Sequence, residues 1–281
     1  MRRVALCFCA VLFTSGVLAE NLPLSGRMEQ GGIVMGTAPQ GATVSLDGRT
    51  LALSKSGRFV FGLDRDAKPT ATLTIRYPDD TVSVEVLSIA KRSWKIERVD
   101  GLPKNTVTPD PETVKRIRSE GGMIVAARNR TEPLPFYETG FLLPADGRIS
   151  GVFGSRRILN GQPRSPHSGL DIAGPTGTPI RATADGVVSL AHDGMVLTGK
   201  TIMIDHGFGL DSVYIHMSEI HVEKGQTVRQ GDVIGAIGMT GRTNGPHLHF
   251  GISWYGAKLD PQTVLAAAPA SSGRLGESAL Q

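Results

Sequence analysis

Two-residue alternation interrupted by frequent glycines is the feature that most restricts how this sequence can fold. Between Gly32 and Ile96, apolar residues recur at every second position, as in ATVSLDGRTLALSKSGRFVFGL. This period is typical of strands with one buried face. The Asp47-Gly48 pair lies between two such runs and is a strong hairpin signal. The pattern predicts a small N-terminal β-sandwich-like domain over residues 20–100.

A second strand-rich region follows over residues 140–265, so the predicted fold class is mainly β. Its apolar runs are short and separated by glycines, and no window keeps a helical period for long. Between the two regions, residues 101–139 predict a linker with a helix. Asp110 suits its N-cap and Pro111 its first position, although a Gly-Gly pair inside it is a potential break. The small, polar residues 266–281 predict a disordered tail.

The N-terminus has the layout of a secretory signal peptide, with two arginines, an apolar run and small residues that end at Ala19. The run is too short for a comfortable membrane span. We therefore expect residues 1–19 to be removed and the rest to be exported as a soluble chain without a membrane span. Cys7 and Cys9 are the only cysteines and lie inside this segment. The exported chain then has no disulfide and depends on its cores, or on metal, for stability.

The balance of charges argues against nucleic acid as a partner. The whole chain has a formal net charge of +4, and loss of the two arginines in the signal peptide lowers it to +2. Acidic and basic residues are well mixed along the remainder. This mild excess suits an anionic polymer but is too weak to indicate nucleic-acid binding.

All seven histidines lie in the second β region, and two of them belong to the stretch GPHLHF at 245–250. On a strand, alternate side chains share a face, so His247 and His249 are expected to point the same way. Upstream, His167 and Asp171 of PHSGLD flank the entry to another predicted strand. Imidazole and carboxylate groups are good zinc donors, and a catalytic zinc has three protein ligands and one open position.

This set of side chains predicts a zinc site. His167 and Asp171 supply two ligands, and either His247 or His249 supplies the third. The histidine left over lies beside the ligands, where it can pass protons for a zinc-activated water.

The stretch YIHM adds two groups to this set. Tyr214 and His216 are expected to share a strand face. The imidazole can assist proton transfer, and the phenol can bind a developing oxyanion. The other histidines, His192, His206 and His221, are interpreted as locally hydrogen-bonded residues outside the site.

Together these stretches resemble the lysostaphin/LytM-type zinc metallopeptidases, which cleave peptide cross-links in bacterial cell walls. The resemblance covers roughly residues 140–265 and is carried by FGSR, HSGLD, GTPIRATADGVV, YIHM and GMTGRTNGPHLHF. It implies a compact antiparallel β domain with its site in a groove between loops.

The resemblance also implies a role for each site residue. One Zn²⁺ ion would be bound by His167, Asp171 and His249. His247 would be the general base, and His216 would assist it.

One feature departs from the family pattern. Better-known Gram-positive members have a tyrosine a few residues before the first zinc-binding histidine, where it helps to stabilise the transition state. Here the corresponding loop, RRILNGQPRSPH, contains no tyrosine. Tyr214 and Arg156 are the candidates for stabilising the oxyanion in its place.

The expected function is zinc-dependent hydrolysis of peptide cross-links in peptidoglycan, in a Gram-negative periplasm rather than as a secreted enzyme. Bonds between D-alanine and diaminopimelate are favoured over glycine bridges as the target. The alternative is a regulator that binds peptidoglycan and activates cell-wall amidases, as degenerate relatives do. The complete set of ligand positions favours the enzyme. The N-terminal domain is expected either to bind the substrate or a regulatory protein partner, or to cover the groove.

Overall fold

The computed structural model of the chain describes residues 22–102 and 108–267. The predicted signal peptide, with both cysteines, lies outside these residues, and so does all of the predicted tail except its first two positions. Within the described ranges, no helix has the length and apolar character needed to cross a membrane.

Strands dominate the structure, as the sequence predicts. The first eight strands are β1 (Leu24–Gly26), β2 (Ile33–Thr37), β3 (Thr43–Leu46), β4 (Arg49–Thr50), β5 (Arg58–Gly62), β6 (Thr70–Arg76), β7 (Val82–Ser88) and β8 (Ile96–Val99). Helix α1 (Pro111–Arg128) and a 3-10 helix (Phe136–Thr139) follow. The C-terminal strands are β9 (Arg148–Gly151), β10 (Arg156–Leu159), β11 (Gln162–Arg164), β12 (Leu170–Ala173), β13 (Pro179–Arg181), β14 (Gly186–Met195), β15 (Gly199–Asp205), β16 (Leu210–Ile220), β17 (Thr227–Val228), β18 (Val233–Ile237), β19 (His247–Trp254) and β20 (Ala257–Leu259). Helix α2 (Pro261–Ala267) comes last and was not predicted.

The N-terminal domain consists of two antiparallel sheets. One has the strand order β1-β2-β5 and the other β4-β3-β6-β7. Alternate residues of both sheets, such as Phe59 and Leu73, are buried in one shared core. The predicted hairpin joins β3 to β4, and both Asp47 and Gly48 have positive φ. Positive φ at both central residues suits a two-residue turn between twisted strands, which explains why an Asp-Gly pair stands there.

Helix α1 begins where the sequence predicts. The Asp110 carboxylate accepts a hydrogen bond from the Thr113 amide at 2.8 Å, and Pro111 opens the first turn. The glycine pair at 121–122 does not interrupt the helix. Near its C-terminal end, buried Ala127 packs in a small apolar cluster with Leu190 of β14.

The C-terminal domain is built on one large antiparallel sheet. Its main path runs β17-β14-β15-β16-β19-β12-β9; β18 pairs with β16 and β13, and β20 pairs with β19. The inner faces of the central strands are almost fully buried, as in Ile202, Leu248 and Phe250. The core continues into the N-terminal domain, because Gly62 of β5 packs against Leu259.

Strand β8 connects the two domains in a way that the sequence analysis did not predict. It pairs in parallel with β10, so that residues expected to close the N-terminal domain join a sheet of the C-terminal one. Nearby, Arg92 forms a 2.7 Å ion pair with Asp260, and the Trp94 and Phe153 rings meet edge to face. The two domains therefore share β8 as a structural element.

Candidate metal centre and active site

Asp171 and His249 lie directly opposite each other on paired strands. In the antiparallel register of β12 and β19, Asp171 faces His249 and Ala173 faces His247. Side chains at directly opposed positions point to the same side of a sheet. The Nδ1 atom of His249 lies 2.7 Å from Oδ1 of Asp171.

His167 is held by the loop that contains the FGSR stretch. Its backbone amide donates to the Ser155 carbonyl, and its own carbonyl accepts from the Gly154 amide. Its Nδ1 atom lies 2.9 Å from the Val152 carbonyl oxygen. A carbonyl oxygen only accepts hydrogen bonds, so Nδ1 carries the ring hydrogen and Nε2 keeps its lone pair.

Three donor atoms from these residues converge on one point. His167 Nε2 lies 2.9 Å from Asp171 Oδ1 and 2.8 Å from His249 Nδ1, and all three side chains are buried. A single ion at the usual zinc distances of about 2.0–2.1 Å can reach all three atoms. Two imidazoles and a carboxylate are also the donors that zinc prefers. The residues therefore fit the ion that the sequence predicts.

Charge states in this group also suit a cation. Burial alone would raise the pKa of Asp171, but the close contacts of its carboxylate with the rings of His167 and His249 hold that pKa well below its ordinary value. The carboxylate is therefore ionised. Burial lowers the pKa of His249 to about 4, so at neutral pH its ring is uncharged and does not repel a cation.

Two glycines leave room for the ligands. A side chain at Gly169 would overlap the Phe250 carbonyl and the His249 ring. A side chain at Gly151 would overlap the carboxylate of Asp171, which it faces across β9 and β12. The glycine in HSGLD therefore has a steric role that the sequence analysis did not recognise.

Two further histidines lie beside the three donors. His247 Nδ1 is 2.9 Å from the Gly245 carbonyl, and His216 Nδ1 is 2.7 Å from the Thr240 carbonyl. Each Nδ1 therefore carries the hydrogen, and each Nε2 keeps a lone pair. His247 Nε2 lies 3.8 Å from Asp171 Oδ1. Burial, reinforced by the neighbouring histidines, lowers the pKa of His216 to about 3, so this ring is neutral.

Comparison with known proteins places this geometry in a family. The sequence profile of Peptidase family M23 matches residues 165–261. The crystal structure of a candidate M23 peptidase from Pseudomonas aeruginosa superposes with a TM-score of 0.67 and 31% sequence identity. The match covers 86% of this chain and 96% of that one. The chain belongs to peptidase family M23.

Curated relatives of this M23 chain match it over less than half of its length. The DD-carboxypeptidase/endopeptidase Mpg of Neisseria meningitidis is 40% identical over 123 residues, which is 43% of this chain and 28% of that protein. The peptidoglycan DD-endopeptidase ShyA of Vibrio cholerae is 43% identical over 104 residues, which is 37% of this chain and 24% of that protein. The chain thus spans about a quarter of the length of these two relatives.

Tyr214 does not reach the site of this M23 domain, which corrects one prediction. It pairs with Phe250, on the opposite face from His249, and its buried hydroxyl accepts hydrogen bonds from the Thr183 amide and the Ser212 hydroxyl. His216 has a φ of 66°, and this left-handed residue breaks the alternation of β16. Tyr214 and His216 therefore lie on opposite faces, and the expected shared face is wrong.

Arg156 is also misplaced by the prediction. Its side chain is exposed and does not line the cavity beside the donors. The next residue, Arg157, points to the other side of β10, and its Nη2 atom lies 2.8 Å from Asp171 Oδ2. Because neighbouring residues of a strand point to opposite faces, the sequence predicts that only one of these two arginines faces the site. Which one does so depends on the orientation of the strand.

The histidines interpreted as local are confirmed to lie outside the cluster. His206 is fully buried, and its ring bonds the Asp185 carbonyl at 2.7 Å and the Ser212 hydroxyl at 2.8 Å. His192 accepts from the Gly194 amide, and His221 contacts a nearby glutamate.

A cavity of about 260 Å³ opens beside the donors of the M23 domain. Asp171, His216 and His247 are among the residues that line it. Glu97 and Val99 of β8 form part of the wall, so the N-terminal half of the chain contributes to the site. Several lining residues were not predicted from the sequence, namely Glu97, Val99, Leu102, Arg157, Arg242, Thr243 and Asn244.

Proposed function

We propose that this chain is an exported zinc endopeptidase that hydrolyses peptide cross-links of bacterial peptidoglycan. The observation that carries the proposal is the convergence of His167 Nε2, Asp171 Oδ1 and His249 Nδ1 beside an open cavity. Membership of family M23 supports a peptidase, and the names of the two curated relatives support peptidoglycan as the substrate.

One Zn²⁺ ion would be held by His167, Asp171 and His249. When bound, zinc supplies a Lewis acid that polarises the scissile carbonyl and makes a water molecule acidic enough to attack it at neutral pH. The ionised carboxylate of Asp171 and the uncharged ring of His249 suit the binding of a cation.

His247 would act as the general base and later as the general acid. Its Nε2 lone pair faces the ligand group, because Nδ1–H is committed to the Gly245 carbonyl. It accepts the proton of the attacking water and then donates it to the leaving amine. Hydrogen bonding to a carbonyl also fixes the tautomer and the orientation of the ring.

His216 would orient the attacking water. The bond from its Nδ1–H to the Thr240 carbonyl leaves Nε2 as an acceptor. With its pKa lowered to about 3, the ring is neutral and accepts a hydrogen bond from water rather than donating one to an oxyanion.

The cut bond would be the one between D-alanine and diaminopimelate, at a periplasmic location. The names of the curated relatives support a DD bond rather than a glycine bridge. A regulatory protein partner of the N-terminal domain stays a prediction.

Digestion of purified peptidoglycan tests this function. The zinc-loaded chain, lacking residues 1–19, is incubated with sacculi rich in diaminopimelate cross-links, and the fragments are identified by mass spectrometry. We expect cross-linked dimers to be converted to monomers, with activity lost on chelation and restored by zinc. A protein that binds zinc but leaves the dimers intact would contradict the enzyme and support the amidase regulator.

A further inference from the structure

The cavity beside the metal centre carries two guanidinium groups that the proposed mechanism does not use. Arg157 of β10 and Arg242 of the loop before β19 both line it. Arg242 is half-buried, and burial together with the positive charges of Arg157 and Arg164 lowers its pKa. The guanidinium groups of Arg157 and Arg164 therefore lie within electrostatic reach of Arg242.

A carboxylate already lies within reach of one of these groups. Glu97 of β8 lines the same cavity, and its Oε2 atom is 3.4 Å from Nε of Arg157. The other side of the Arg157 guanidinium is occupied by Asp171, at 2.8 Å. Since Asp171 is a proposed metal ligand, Arg157 holds its positive charge next to the metal centre.

The charges around the cavity favour an anionic ligand. Four ionised side chains line it, namely Glu97, Arg157, Asp171 and Arg242. With Asp171 bound to a divalent cation, the two arginines and the ion outweigh the remaining carboxylate. Arginine binds carboxylates through two parallel hydrogen bonds, and such charge-assisted bonds are stronger in a partly buried site.

We infer that Arg242 binds, and the positive charge of Arg157 helps to attract, a free carboxylate on the substrate residue that supplies the nitrogen of the cut bond. The inference rests on the proposed function and names the substrate class of the same site. In a link from D-alanine to diaminopimelate, the carbon next to the cut nitrogen carries a free carboxylate. In a glycine bridge, the corresponding carboxyl group is part of the next peptide bond. The two arginines thus act as specificity-determining residues.

Two synthetic peptides that differ in one group test the inference. Both contain D-alanine at the cut bond, and the residue after it carries either a free carboxylate or a primary amide. For the zinc-loaded full chain, we expect kcat/KM for the carboxylate peptide to exceed that for the amide by at least about tenfold, mainly through KM.

Variants locate the preference on the arginines. Arg242→Gln should bring the ratio of the two kcat/KM values close to one, and Arg242→Lys should retain part of it, because lysine keeps the charge but not the planar fork. Arg229→Gln removes the same charge from the exposed side chain of another loop and should keep the wild-type ratio. Bound zinc, measured by elemental analysis, should be equal in all four proteins.

The outcomes separate this inference from the proposed function. Because the ratio is measured within one protein, a fraction of unfolded molecules cancels out. Equal cleavage of both peptides by the wild type, or a wild-type ratio in Arg242→Gln, overturns the carboxylate site and leaves the endopeptidase intact. If the wild type cuts neither peptide nor sacculi, the proposed function fails and the inference fails with it.

Discussion

The C-terminal domain contains two buried sites with a histidine. Both histidines are buried and uncharged, but their ring nitrogens face different groups. His249 belongs to the candidate metal centre, and His206 belongs to a polar network below the 3-10 helix. Burial lowers the pKa of both rings to about 4. The two His206 nitrogens bond the Asp185 carbonyl and the Ser212 hydroxyl. In the metal centre, Nδ1 of His249 faces the ionised Asp171 and the Nε2 atom of His167.

The difference shows that burial and a lowered pKa do not identify a metal ligand. A structural histidine is satisfied by one acceptor and one hydroxyl, so it needs no further partner. A group in which lone pairs and a carboxylate converge concentrates negative potential at one point, and a cation relieves it. Although the two histidines have the same lowered pKa, we expect substitution to reduce zinc binding and activity in the metal centre but stability at His206.

The largest effect is expected from His167→Ala. Removing one of three donors should reduce bound zinc far below one ion per chain and abolish hydrolysis of cross-linked peptidoglycan. Elemental analysis of the purified protein and a dimer-cleavage assay measure the two effects. Full zinc content in this variant would show that the ion is bound elsewhere.

His247→Ala should separate zinc binding from activity. Loss of the general base should lower kcat by about 10²–10⁴-fold, while zinc stays at one ion per chain, because His247 is not a ligand in this arrangement. The measurement is the initial rate on dimers with zinc content as the control. A wild-type rate with full zinc would contradict the assignment of the base.

His206→Ala should show the opposite pattern. The change removes two hydrogen bonds and an edge-to-face contact with Phe141, leaving a cavity in the core. We expect the free energy of unfolding to fall by about 2–4 kcal/mol, with zinc content and kcat per folded molecule unchanged. Urea denaturation measures the loss of stability. Loss of zinc from this variant without loss of stability would contradict the expected difference between His206 and the metal centre.

The same variant has a predicted pH signature of smaller size. The pKa of His206 is about 4 in the folded protein against an ordinary value of 6.5. The contribution of the neutral His206 ring to the free energy of unfolding is fully present above pH 6.5. It is lost as the pH falls towards 4, because the unfolded chain takes up the proton first. For metal-free protein, the stability gap between wild type and His206→Ala should shrink by about 2 kcal/mol from pH 7.5 to pH 5. Parallel stability curves would contradict a buried neutral ring.

Strand periodicity was enough to predict the mainly β fold and the relation between the two histidines of GPHLHF. His247 and His249 lie 3.8 and 2.7 Å from Asp171 Oδ1, as a shared strand face requires. Asp171 lies on β12, which pairs with β19, and it stands directly opposite His249. Local sequence patterns thus predict most residues of the metal centre.

Periodicity fails where the backbone leaves the regular strand conformation. The positive φ of His216 turns its side chain to the face opposite Tyr214, and no pattern in YIHM predicts this conformation. The pairing of β8 with β10 brings Glu97 beside Arg157 across 60 residues of sequence. Such pairings depend on tertiary contacts, so the pattern within single strands did not predict the residues of the cavity wall.

Anomalous diffraction from crystals grown with zinc tests the central claim most directly. A difference map calculated at the zinc absorption edge should show one strong peak about 2.0–2.2 Å from His167 Nε2, Asp171 Oδ1 and His249 Nδ1. An empty map at these three atoms, or a peak bound instead through His206, would contradict the metal centre described for this chain.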